Sequence, residues 1–445
     1  MSKKKTFVED IERTLYDIKN EDRPLYRTEE GLTEEIVRDI SVKKKDPAWM
    51  LEFRLHSLDV YNHTPMPAWG PDLSALDMDH IVTYVQPDAR MAGRWEDVPE
   101  DIRDTFDRLG IPEAEKTSLA GVGAQYDSEV VYHSVQESLR KKGVVYTDME
   151  TALREHEALV KEYFMKLVPP KDHKFVALHG AVWSGGSFVY VPAGVDVKIP
   201  LQSYFRLNAP GAGQFEHTLI IVEPGASLHF IEGCSAPKYN VTNLHAGCVE
   251  LYIKEGARLR YSTIENWSRN MMNLNTKRAL VEKDGIIEWV SGSFGSHVSM
   301  LYPSSILHGE GARCEFTGVT FAGHGQHLDT GATVVHAAPH TSANISTRSI
   351  SKDGGVAVYR SAVKVAPGAD HARCSVSCES LMLDSESRAD TLPTMDIAGD
   401  EADIGHEAKI GRISDEAIFY LTSRGIREDE ARAMIVRGFV EPIAK

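Results

Sequence analysis

Residues 217–233, HTLIIVEPGASLHFIEG, and residues 249–267, VELYIKEGARLRYSTIENW, decide the fold of this chain. Each stretch contains two short strand-like runs joined by a Pro-Gly-Ala or Glu-Gly-Ala turn. The same turn recurs at Glu310–Ala312 and Pro367–Ala369, and a related turn at Asp284–Gly285 lies between those at residues 255 and 310. Up to residue 310 the turns are about 26 to 31 residues apart, and the last gap is about twice as long. Strand and turn at a nearly fixed period, with no helix between them, indicate a β-helix or solenoid.

This strand-and-turn pattern extends over residues 171–412. Its length favours a mainly β chain with a parallel β-helix core over the alternative, an imperfect β-sandwich. Residues 1–170 are expected to form an N-terminal α-helical region, because segments such as residues 46–62 repeat apolar residues at helical spacing. Residues 413–445 are expected to form a C-terminal α-helical hairpin.

The hairpin is predicted from its caps and its apolar spacing. Ser414 caps the first helix, Gly425 ends it, and Gly438 ends the second. Its apolar face is expected to comprise Ile418, Phe419, Leu421, Ala431, Met434 and Ile435. Such a short hairpin buries little surface alone, so we expect it to pack on the solenoid or on a partner protein.

The composition argues against several classes of function. The chain has 445 residues, a formal net charge of −16 and a pI of about 5.6, which disfavours a dedicated binder of nucleic acid or anionic membranes. Five cysteines are an odd number in a chain too long to need disulfide staples, so a reducing cytoplasm fits best. The N-terminus lacks the apolar region of a signal peptide, and apolar runs such as Leu219–Val222 are too short to cross a bilayer.

Cys378 and the pair His406–Glu407 carry a thiol, an imidazole and a carboxylate, which are side chains that bind iron. Twenty-nine residues separate Cys378 from Glu407, and the segment between them is expected to form strands and turns. One coil of sheet could therefore stack the two ends together. This spacing raises iron–sulfur chemistry as a hypothesis, although a cysteine in a strand is usually a small buried hydrophobe.

Several long motifs occur in one colinear series from about residue 31 to the end of the chain. They read GLTEEIVRDISVKKKDPAWMLEFRL, LAGVGAQYDSEVVYH, SYFRLNAPGAGQFEHTLIIV, IEGCSAPKYNVTNLHAGCVE, YSTIENWS, TKRALVEKDG and HEAKIGRISDEAIFYLTSRGI. In these motifs the chain resembles the SufB/SufD family of the SUF iron–sulfur cluster assembly system. GLTEEIVRDIS and IEGCSAP make it more similar to the SufB branch, the scaffold, than to the SufD branch.

The resemblance implies a right-handed parallel β-helix between helical regions, with the C-terminal helices docking the SufC ATPase. It implies pairing with SufD or a second SufB, sulfur delivery by a cysteine desulfurase with or without a sulfur carrier, and a transient, nascent iron–sulfur cluster. Reduced flavin is implied by the resemblance alone, since the sequence contains no flavin motif. The protein would then be a scaffold and not an enzyme, with the ATPase activity in the SufC partner.

By the same resemblance, Cys234 in IEGCSAP is the sulfur acceptor, because its thiolate would attack the terminal sulfur of a donor. The residues matched to a polar path from this cysteine are Arg206, Asn208, Glu216, His245, Glu265, Trp267 and Lys283. Alternation supports the assignment, since Arg206 and Asn208 share one face of a strand, as do Glu265 and Trp267. The alternative is that these residues lie on the solvated outer face.

The resemblance also makes Cys378 a cluster ligand, with Glu407 and His406 as its partners. Adjacent residues of a strand face opposite sides, so one of the two is expected to bind metal, and Glu407 is preferred. The spacing His371-x-x-Cys374-x-x-x-Cys378 is similar to a metal motif. Four residues of extended strand span about 13 Å, too far for one ion, so Cys374 is expected to be structural.

Two departures from the family stand out. Glu265 occupies a position where the family has Gln, and members usually continue beyond the terminal GFVEPIAK, so we expect part of the ATPase-binding region to be absent. Two glycine-rich stretches, Trp183–Ser187 and Gly292–Ser296, lack the G-x-x-x-x-G-K-[ST] pattern and are expected to be strand turns. Four clustered histidines match no family site and are expected at turns or on the surface: His324, His327, His336 and His340.

Three functions compete at this point. The first is a scaffold that accepts sulfur and builds a cluster, and the second is a SufD-like structural subunit without sulfur-accepting activity. The third is a carbohydrate-active β-helix enzyme, a class that is usually secreted. Cys234 and the HEA motif favour the first, and the lack of a signal peptide disfavours the third.

Overall fold

The computed structural model describes residues 13–399 and 401–444, with side chains as far as residue 441. It is mainly β, with 41% strand and 23% helix, as the sequence predicted. The helices are α1 (Glu34–Lys44), α2 (Ala48–His63), α3 (Glu100–Arg108), α4 (Ile111–Ser118), α5 (Glu137–Arg140), α6 (Met149–Glu155), α7 (Glu157–Tyr163), α8 (Lys174–Val182), α9 (Asp415–Thr422) and α10 (Glu428–Ala444).

The strands fall into an N-terminal set and a solenoid set. The N-terminal set is β1 (Pro24–Arg27), β2 (Val85–Pro87), β3 (Gly121–Tyr126), β4 (Glu129–Val135) and β5 (Val145–Asp148). The solenoid set is β6 (Gly186–Val191), β7 (Asp196–Arg206), β8 (Gly213–Gln214), β9 (His217–Val222), β10 (Ser227–Ser235), β11 (Asn243–His245), β12 (Cys248–Ile253), β13 (Arg258–Asn266), β14 (Met271–Asn273), β15 (Thr276–Val281), β16 (Ile286–Ser293), β17 (Val298–Leu301), β18 (Ser304–Leu307), β19 (Arg313–Ala322), β20 (His327–His336), β21 (Ser342–Ser351), β22 (Val356–Val365), β23 (Arg373–Met382), β24 (Arg388–Ile397) and β25 (Asp403–Arg412).

The strands stack into a β-solenoid of about eight turns. One sheet, the first sheet, has the strand order β25-β23-β21-β19-β16-β13-β10-β7-β3-β4. The second sheet runs β5-β6-β9-β12-β15-β18-β20-β17-β14-β11-β8, and β22 and β24 extend it from β20. All pairs within the solenoid set are parallel, so each coil places its strands directly beside those of the next coil.

A column of turns joins the second sheet to the first, and it includes the turns that the sequence marked. Each has a residue with positive φ, and its backbone N–H donates to the next turn of the column. The residues are Gly225, Gly256, Asp284, Gly311, His340 and His371. His340 (φ 58°) supplies the turn that the doubled sequence gap concealed. Its ring stacks on that of His371 with centroids 4.9 Å apart.

The N-terminal region combines its helices with strands that the sequence did not indicate. β3 and β4 form an antiparallel hairpin that extends the first sheet beside β7, and β5 pairs with β6 in the second sheet. β3 reads GVGAQY, and its glycines allow close approach: a Cβ on Gly123 would lie 2.8 Å from the Tyr146 hydroxyl. Strands built on glycine carry little strand propensity, which explains why sequence pattern alone indicated only helix.

The C-terminal hairpin lies against the solenoid through α10. The Arg348 guanidinium of β21 donates to the Phe439 carbonyl and lies 5.2 Å from the centroid of its ring. α10 continues to Ala444, so the prediction that Gly438 ends this helix is wrong. A single glycine costs a helix interior only about 1 kcal/mol relative to alanine, and these contacts offset it. Within the described residues, no helix combines the length and hydrophobicity needed to cross a bilayer.

Candidate functional site

Inside the solenoid, apolar rows give way to polar rows toward the C-terminal ends of the first-sheet strands. In β10 the inward-facing residues are Leu228 and Phe230, followed by Glu232 and Cys234. Parallel in-register pairing repeats each type on the next strand. One polar row is Glu232, Thr263, Ser291, Gly318, Thr347 and Cys378, and the row beside it is Cys234, Glu265, Ser293, Thr320, Ser349 and Ser380. Cys234 and Cys378 therefore belong to one continuous polar interior.

A buried ion cluster lies next to Cys234. The Lys277 ammonium is 2.8 Å from Glu232 Oε1 and 3.2 Å from Glu265 Oε1, and it donates to Thr263 Oγ1 at 2.9 Å. All of these side chains are almost fully shielded from solvent. Burial is the largest single effect and raises the pKa of Glu232, but the charge and hydrogen bond of Lys277, the Tyr261 hydroxyl and the His245 charge together lower the net pKa. Glu232 is therefore an ionised carboxylate at neutral pH.

His245 continues the cluster on the second sheet. Its Nε2 lies 2.5 Å from Glu216 Oε1 and its Nδ1 lies 2.7 Å from Asn273 Oδ1. The Asn273 amide nitrogen donates to Glu265 Oε2 at 2.6 Å, which turns its oxygen toward the imidazole. Both ring nitrogens face acceptors, so both carry protons. Burial is the largest single effect and lowers the pKa of His245, but the charge and hydrogen bond of Glu216, the Glu265 charge and the Asn273 hydrogen bond together raise the net pKa.

The cluster has one more carboxylate than cations in direct contact with it. Glu232 is matched by Lys277 and Glu216 by His245, which leaves Glu265 as the additional negative charge. The family resemblance implies Gln at this position, and Glu265 instead places a buried carboxylate 3.2 Å from the Lys277 ammonium.

The Cys234 thiol is 1% exposed, and its Sγ lies 4.0 Å from Glu232 Oε1. Burial raises the pKa of Cys234 well above its ordinary value, and the carboxylates of Glu232, Glu265 and Glu216 raise it further. The thiol is therefore protonated in this conformation. A thiolate, the reactive form, requires either a nearby cation or access of water.

The structure brings together most of the residues predicted for the polar path. Glu216, His245, Glu265 and Trp267 are buried around Cys234, and the Trp267 ring is 4.6 Å from the imidazole. Arg206 and Asn208 are also buried, at the end of β7 and just after it, where their side chains bind residues 13–22. Burial rules out the solvated position for these residues, although Arg206 pairs in register with Ser235 and therefore lies on the opposite face of the first sheet from Cys234. The role of these residues in sulfur chemistry stays a prediction.

Lys283 does not join them. It lies exposed in the turn after β15, so its predicted place on an interior path is wrong. The buried cation is Lys277, which the sequence reasoning missed. Alternation contained the signal, because Lys277 shares its strand face with the buried Ala279 and Val281.

Small cavities continue the polar interior toward Cys378. A cavity of about 10 Å³ touches Glu265 and Lys277, and another of about 20 Å³ touches Thr347 and Cys378. They share the lining residues Ser291, Leu301 and Pro303. Cavities of this size hold about one water each. Five strand spacings separate β10 from β23, so the two cysteines are about 24 Å apart.

Cys378 lies beside His406. The Cys378 Sγ is 3.4 Å from His406 Nε2, and its carbonyl neighbour Glu407 O is 3.7 Å away. The Glu407 carboxylate points to the opposite face, where it pairs with Lys409 at 3.0 Å. Val376 pairs with His406 in register, which turns the imidazole inward. The preference for Glu407 as the metal ligand therefore does not fit this geometry, and His406 is the better-placed residue. Burial raises the pKa of Cys378 and lowers that of His406.

Cys374 and Cys314 stand in an apolar row. In register from β10 to β23 the row reads Leu228, Leu259, Ile287, Cys314, Ala343 and Cys374. β23 pairs without interruption from residue 373 to residue 382, so the extended spacing between Cys374 and Cys378 holds. Burial raises the pKa of each of these two thiols to about 12. Both fit small buried hydrophobes.

The four clustered histidines separate in the structure. His324 and His340 are exposed turn residues, as expected, and His327 is half-buried. His336 is fully buried and its Nδ1 bonds to Thr341, so the surface prediction is wrong for it. Gly292–Ser296 is a turn between β16 and β17, as expected, with positive φ at Ser296, whereas Trp183–Ser187 connects α8 to β6, with positive φ at Gly185 and Gly186, so the strand-turn prediction is wrong for it.

A second buried group, which sequence reasoning missed, has metal-ligand chemistry. Ligand atoms of His179, His217 and Cys248 lie within 4.8 Å of one another. His179 Nδ1 bonds to the Ala246 carbonyl, and its Nε2 is 3.0 Å from His217 Nδ1. His217 Nε2 is in turn 3.3 Å from Glu250. Burial lowers the pKa of His217 to about 3 and raises that of Glu250 to about 8. His179 therefore has a partner at each ring nitrogen, whereas His217 Nε2 makes no hydrogen bond to the described residues, and the Glu250 carboxyl is held by the backbone N–H groups of residues 165, 167 and 168.

The fold and the site together define a β-solenoid protein with a cysteine buried against an ion cluster. Comparison with known families matches residues 205–439 to the SufBD core domain of SUF-system FeS cluster assembly and residues 74–203 to the SufBD N-terminal region. The chain belongs to the SufBD family.

Curated relatives support the same family. The chain is 50% identical over 436 residues to the iron–sulfur cluster assembly protein SufB of Bacillus subtilis, covering 98% of this chain and 94% of that protein. It is 50% identical to a SufBD family protein of Staphylococcus saprophyticus and 49% identical to one of Staphylococcus aureus, with the same coverage.

Proposed function

We propose that this protein is an iron–sulfur cluster assembly scaffold that accepts persulfide sulfur at Cys234. The thiolate of Cys234 attacks the terminal sulfur of a donor persulfide, the donor S–S bond breaks, and the donor thiol leaves with the proton that Cys234 gives up. Cys234 then carries the persulfide. The exchange needs no external oxidant, because one S–S bond forms as another breaks.

The observation that carries this proposal is the ion cluster beside a buried thiol. Buried charged groups are costly unless paired, and an interior row of ordinary apolar residues would stabilise the solenoid at least as well. Lys277 and His245 supply cationic hydrogen-bond donors within the cluster that holds Cys234. Such donors favour a bound anionic sulfur over a thiol once the site is occupied.

Cys378 and His406 are proposed as protein ligands of the nascent cluster, which is the cargo of the scaffold. A thiolate and an imidazole are both iron ligands, and the thiol and ring nitrogen already lie 3.4 Å apart. Two ligands leave open positions, which suits a site that must release its cluster. The hydroxyl-lined rows between the cysteines would connect sulfur acceptance to cluster assembly.

The C-terminal hairpin is the proposed docking surface for the SufC ATPase, to which the ATPase activity belongs. Its expected apolar face divides in the structure: Ile418 and Ala431 are buried, while Phe419 and Met434 are exposed, as is the neighbouring Tyr420. Exposed aromatic and methionine side chains are typical of protein interfaces. The partner would contact these exposed residues.

The open end of the solenoid is the proposed surface for pairing with SufD or a second copy of this chain. β24 and β25 are the last strands of their sheets, and unpaired strand edges favour pairing with another chain. Exposed apolar side chains lie on these strands: Leu392, Met395, Ile397 and Ile410. Cys378 and His406 are on β23 and β25, so a partner there would lie close to the cluster ligands.

Persulfide mapping tests the proposal. The protein is incubated anaerobically with a cysteine desulfurase and cysteine, and its cysteine peptides are identified by mass spectrometry. We expect one additional sulfur on Cys234 and none on Cys248 or Cys314. Cys234→Ser should prevent loading and leave binding of the ATPase intact, since one atom changes. If Cys234→Ser were loaded as fully as the wild type, sulfur acceptance at Cys234 would be contradicted. If no persulfide formed on the wild type, a structural subunit without sulfur-accepting activity would be favoured.

A further inference from the structure

Residues 13–22, RTLYDIKNED, lie across the corner of the solenoid next to Cys234, and we call them the N-terminal strap. The Arg13 guanidinium donates to the backbone carbonyls of Asn266, Trp267 and Ala236 at 3.1, 2.9 and 3.1 Å. These carbonyls belong to the ends of β10 and β13, the strands that hold Cys234 and Glu265. Ala236 and Trp267 also pack with Cys234 in one buried cluster.

Arg206 and Asn208 hold the middle of the strap. Arg206 donates to the Tyr16 carbonyl at 2.7 Å and to the Ile18 carbonyl. Asn208 accepts from the Asn20 backbone N–H at 3.1 Å and returns a bond to the Asn20 carbonyl at 3.4 Å. These bonds all go to backbone atoms of the strap. Arg206 and Asn208 therefore bind the backbone of the strap whatever its side chains, whereas the Arg13 side chain anchors the first residue of the strap, ahead of a turn at residues 14–17.

The strap accounts for two features of the site. Cys234 is 1% exposed, although a thiol that takes sulfur from another protein must be reached by that protein. Arg206 and Asn208 matched the family path, yet their hydrogen bonds go to the strap and to Ser235 at 3.0 Å. Both features follow if the strap occupies a position that another segment uses during sulfur transfer.

We propose that this corner is the docking site for the protein segment that carries the donor persulfide, and that the N-terminal strap is its competing occupant. The inference rests on the function proposed for Cys234. Arg206 and Asn208 then act as positioning residues that bind the backbone of the donor segment after the strap leaves. Departure of the strap also admits water, which favours the thiolate that the closed site suppresses.

Alkylation of Cys234 in the full-length protein tests whether the N-terminal strap shields this thiol. Arg13→Gln removes charge-assisted bonds to three carbonyls, and the matched control Arg38→Gln removes only an exposed pair with Glu34. We expect N-ethylmaleimide to modify Cys234 about tenfold faster in Arg13→Gln than in the control. Cys248 serves as the internal standard for unfolding. An unchanged alkylation rate at Cys234, or an equal rise in rate at Cys248, would overturn the claim that the strap shields Cys234.

Persulfide loading tests whether the donor segment docks at the position that the strap occupies. We expect a cysteine desulfurase with its cysteine substrate to load Arg13→Gln several-fold faster than Arg38→Gln. A synthetic RTLYDIKNED peptide should slow that loading, because it refills the corner. Faster alkylation with equal loading of both variants, or no effect of the peptide, would overturn donor docking and leave sulfur acceptance standing. No persulfide on Cys234 in any variant would instead refute the proposed function, and donor docking with it.

Discussion

Replacing Lys277 with methionine tests the buried ion cluster. Lys277→Met keeps the length and volume of the side chain and removes its charge, so Glu232 and Glu265 lose their shared cation. Each carboxylate lies 2.8 to 3.2 Å from the ammonium nitrogen. Two unit charges about 4 Å apart attract by about 4 kcal/mol at an effective dielectric constant of 20. Removing one partner of a buried pair typically costs 3–5 kcal/mol, roughly the loss we expect in the free energy of unfolding.

Lys283→Met is the matched control, because the same substitution then falls on an exposed turn residue. It should change the free energy of unfolding by less than about 0.5 kcal/mol. Both variants are compared with the wild type by guanidinium unfolding, followed by tryptophan fluorescence. Equal, small losses in the two variants would refute the cluster.

The cost of Lys277→Met should grow as the pH rises. In the wild type Lys277 lowers the pKa of Glu232 below its ordinary 4.5, so its contribution is present above that pH and lost as the pH falls through the lowered value. In the variant burial still raises the pKa of Glu232, and only the weaker effects of the Tyr261 hydrogen bond and the His245 charge still lower it, so its ionisation becomes more costly as the pH rises. The difference in stability between the two proteins should therefore be larger at pH 7 than at pH 4. A constant difference would contradict this assignment of charges.

Three further predictions follow from the site and the surfaces. Glu265→Gln should lower the pKa of the acceptor thiol by removing one carboxylate, so the pH profile of its alkylation should move to lower pH. His406→Ala should remove most of the iron bound by the isolated protein after anaerobic reconstitution, and Glu407→Ala should retain it, as iron assays would measure. Phe419→Asp with Met434→Asp should abolish co-purification with the SufC ATPase while thermal unfolding is nearly unchanged, because both residues are exposed.

Matched substitutions at exposed positions control these experiments. Glu315→Gln on the outer face of β19 should leave the alkylation profile in place, and Val42→Asp on α1 should leave ATPase binding intact. A profile that does not move in Glu265→Gln would mean that its charge is neutralised already. If iron were retained in His406→Ala but lost in Glu407→Ala, the prediction from sequence that Glu407 is the ligand would be correct after all. Binding of the ATPase to the double variant would move its surface elsewhere.

The solenoid could be predicted because the conformation of each turn depends on the few residues within it. A residue in the left-handed region is usually glycine, so the glycine-containing turns marked most of the coils in the sequence. The coil at His340 was concealed, because there a histidine adopts positive φ within a stacked column. The β3–β4 hairpin was missed because its residues become a strand only by pairing with β7.

The site was predictable wherever the alternation of side chains along a strand decides which of them point into the solenoid. Lys277 shares the face of Ala279 and Val281, and His406 shares that of Ile404, which packs on the core. Both could have been read as inward-facing from the sequence. The strap could not, because residues 13–22 show no apolar period and are held by polar bonds to residues far along the chain, from the Arg13 side chain and to the strap backbone from Arg206.

Tracing one sulfur atom through the assembled complex tests the central claim most directly. Isotopically labelled persulfide is first loaded on the complex by the desulfurase, excess donor is removed, and iron and reductant are added anaerobically. We predict that the label leaves Cys234 and appears as acid-labile sulfide, and that in Cys378→Ala it remains on Cys234. Labelled acid-labile sulfide formed at the wild-type rate in Cys234→Ser would contradict the account.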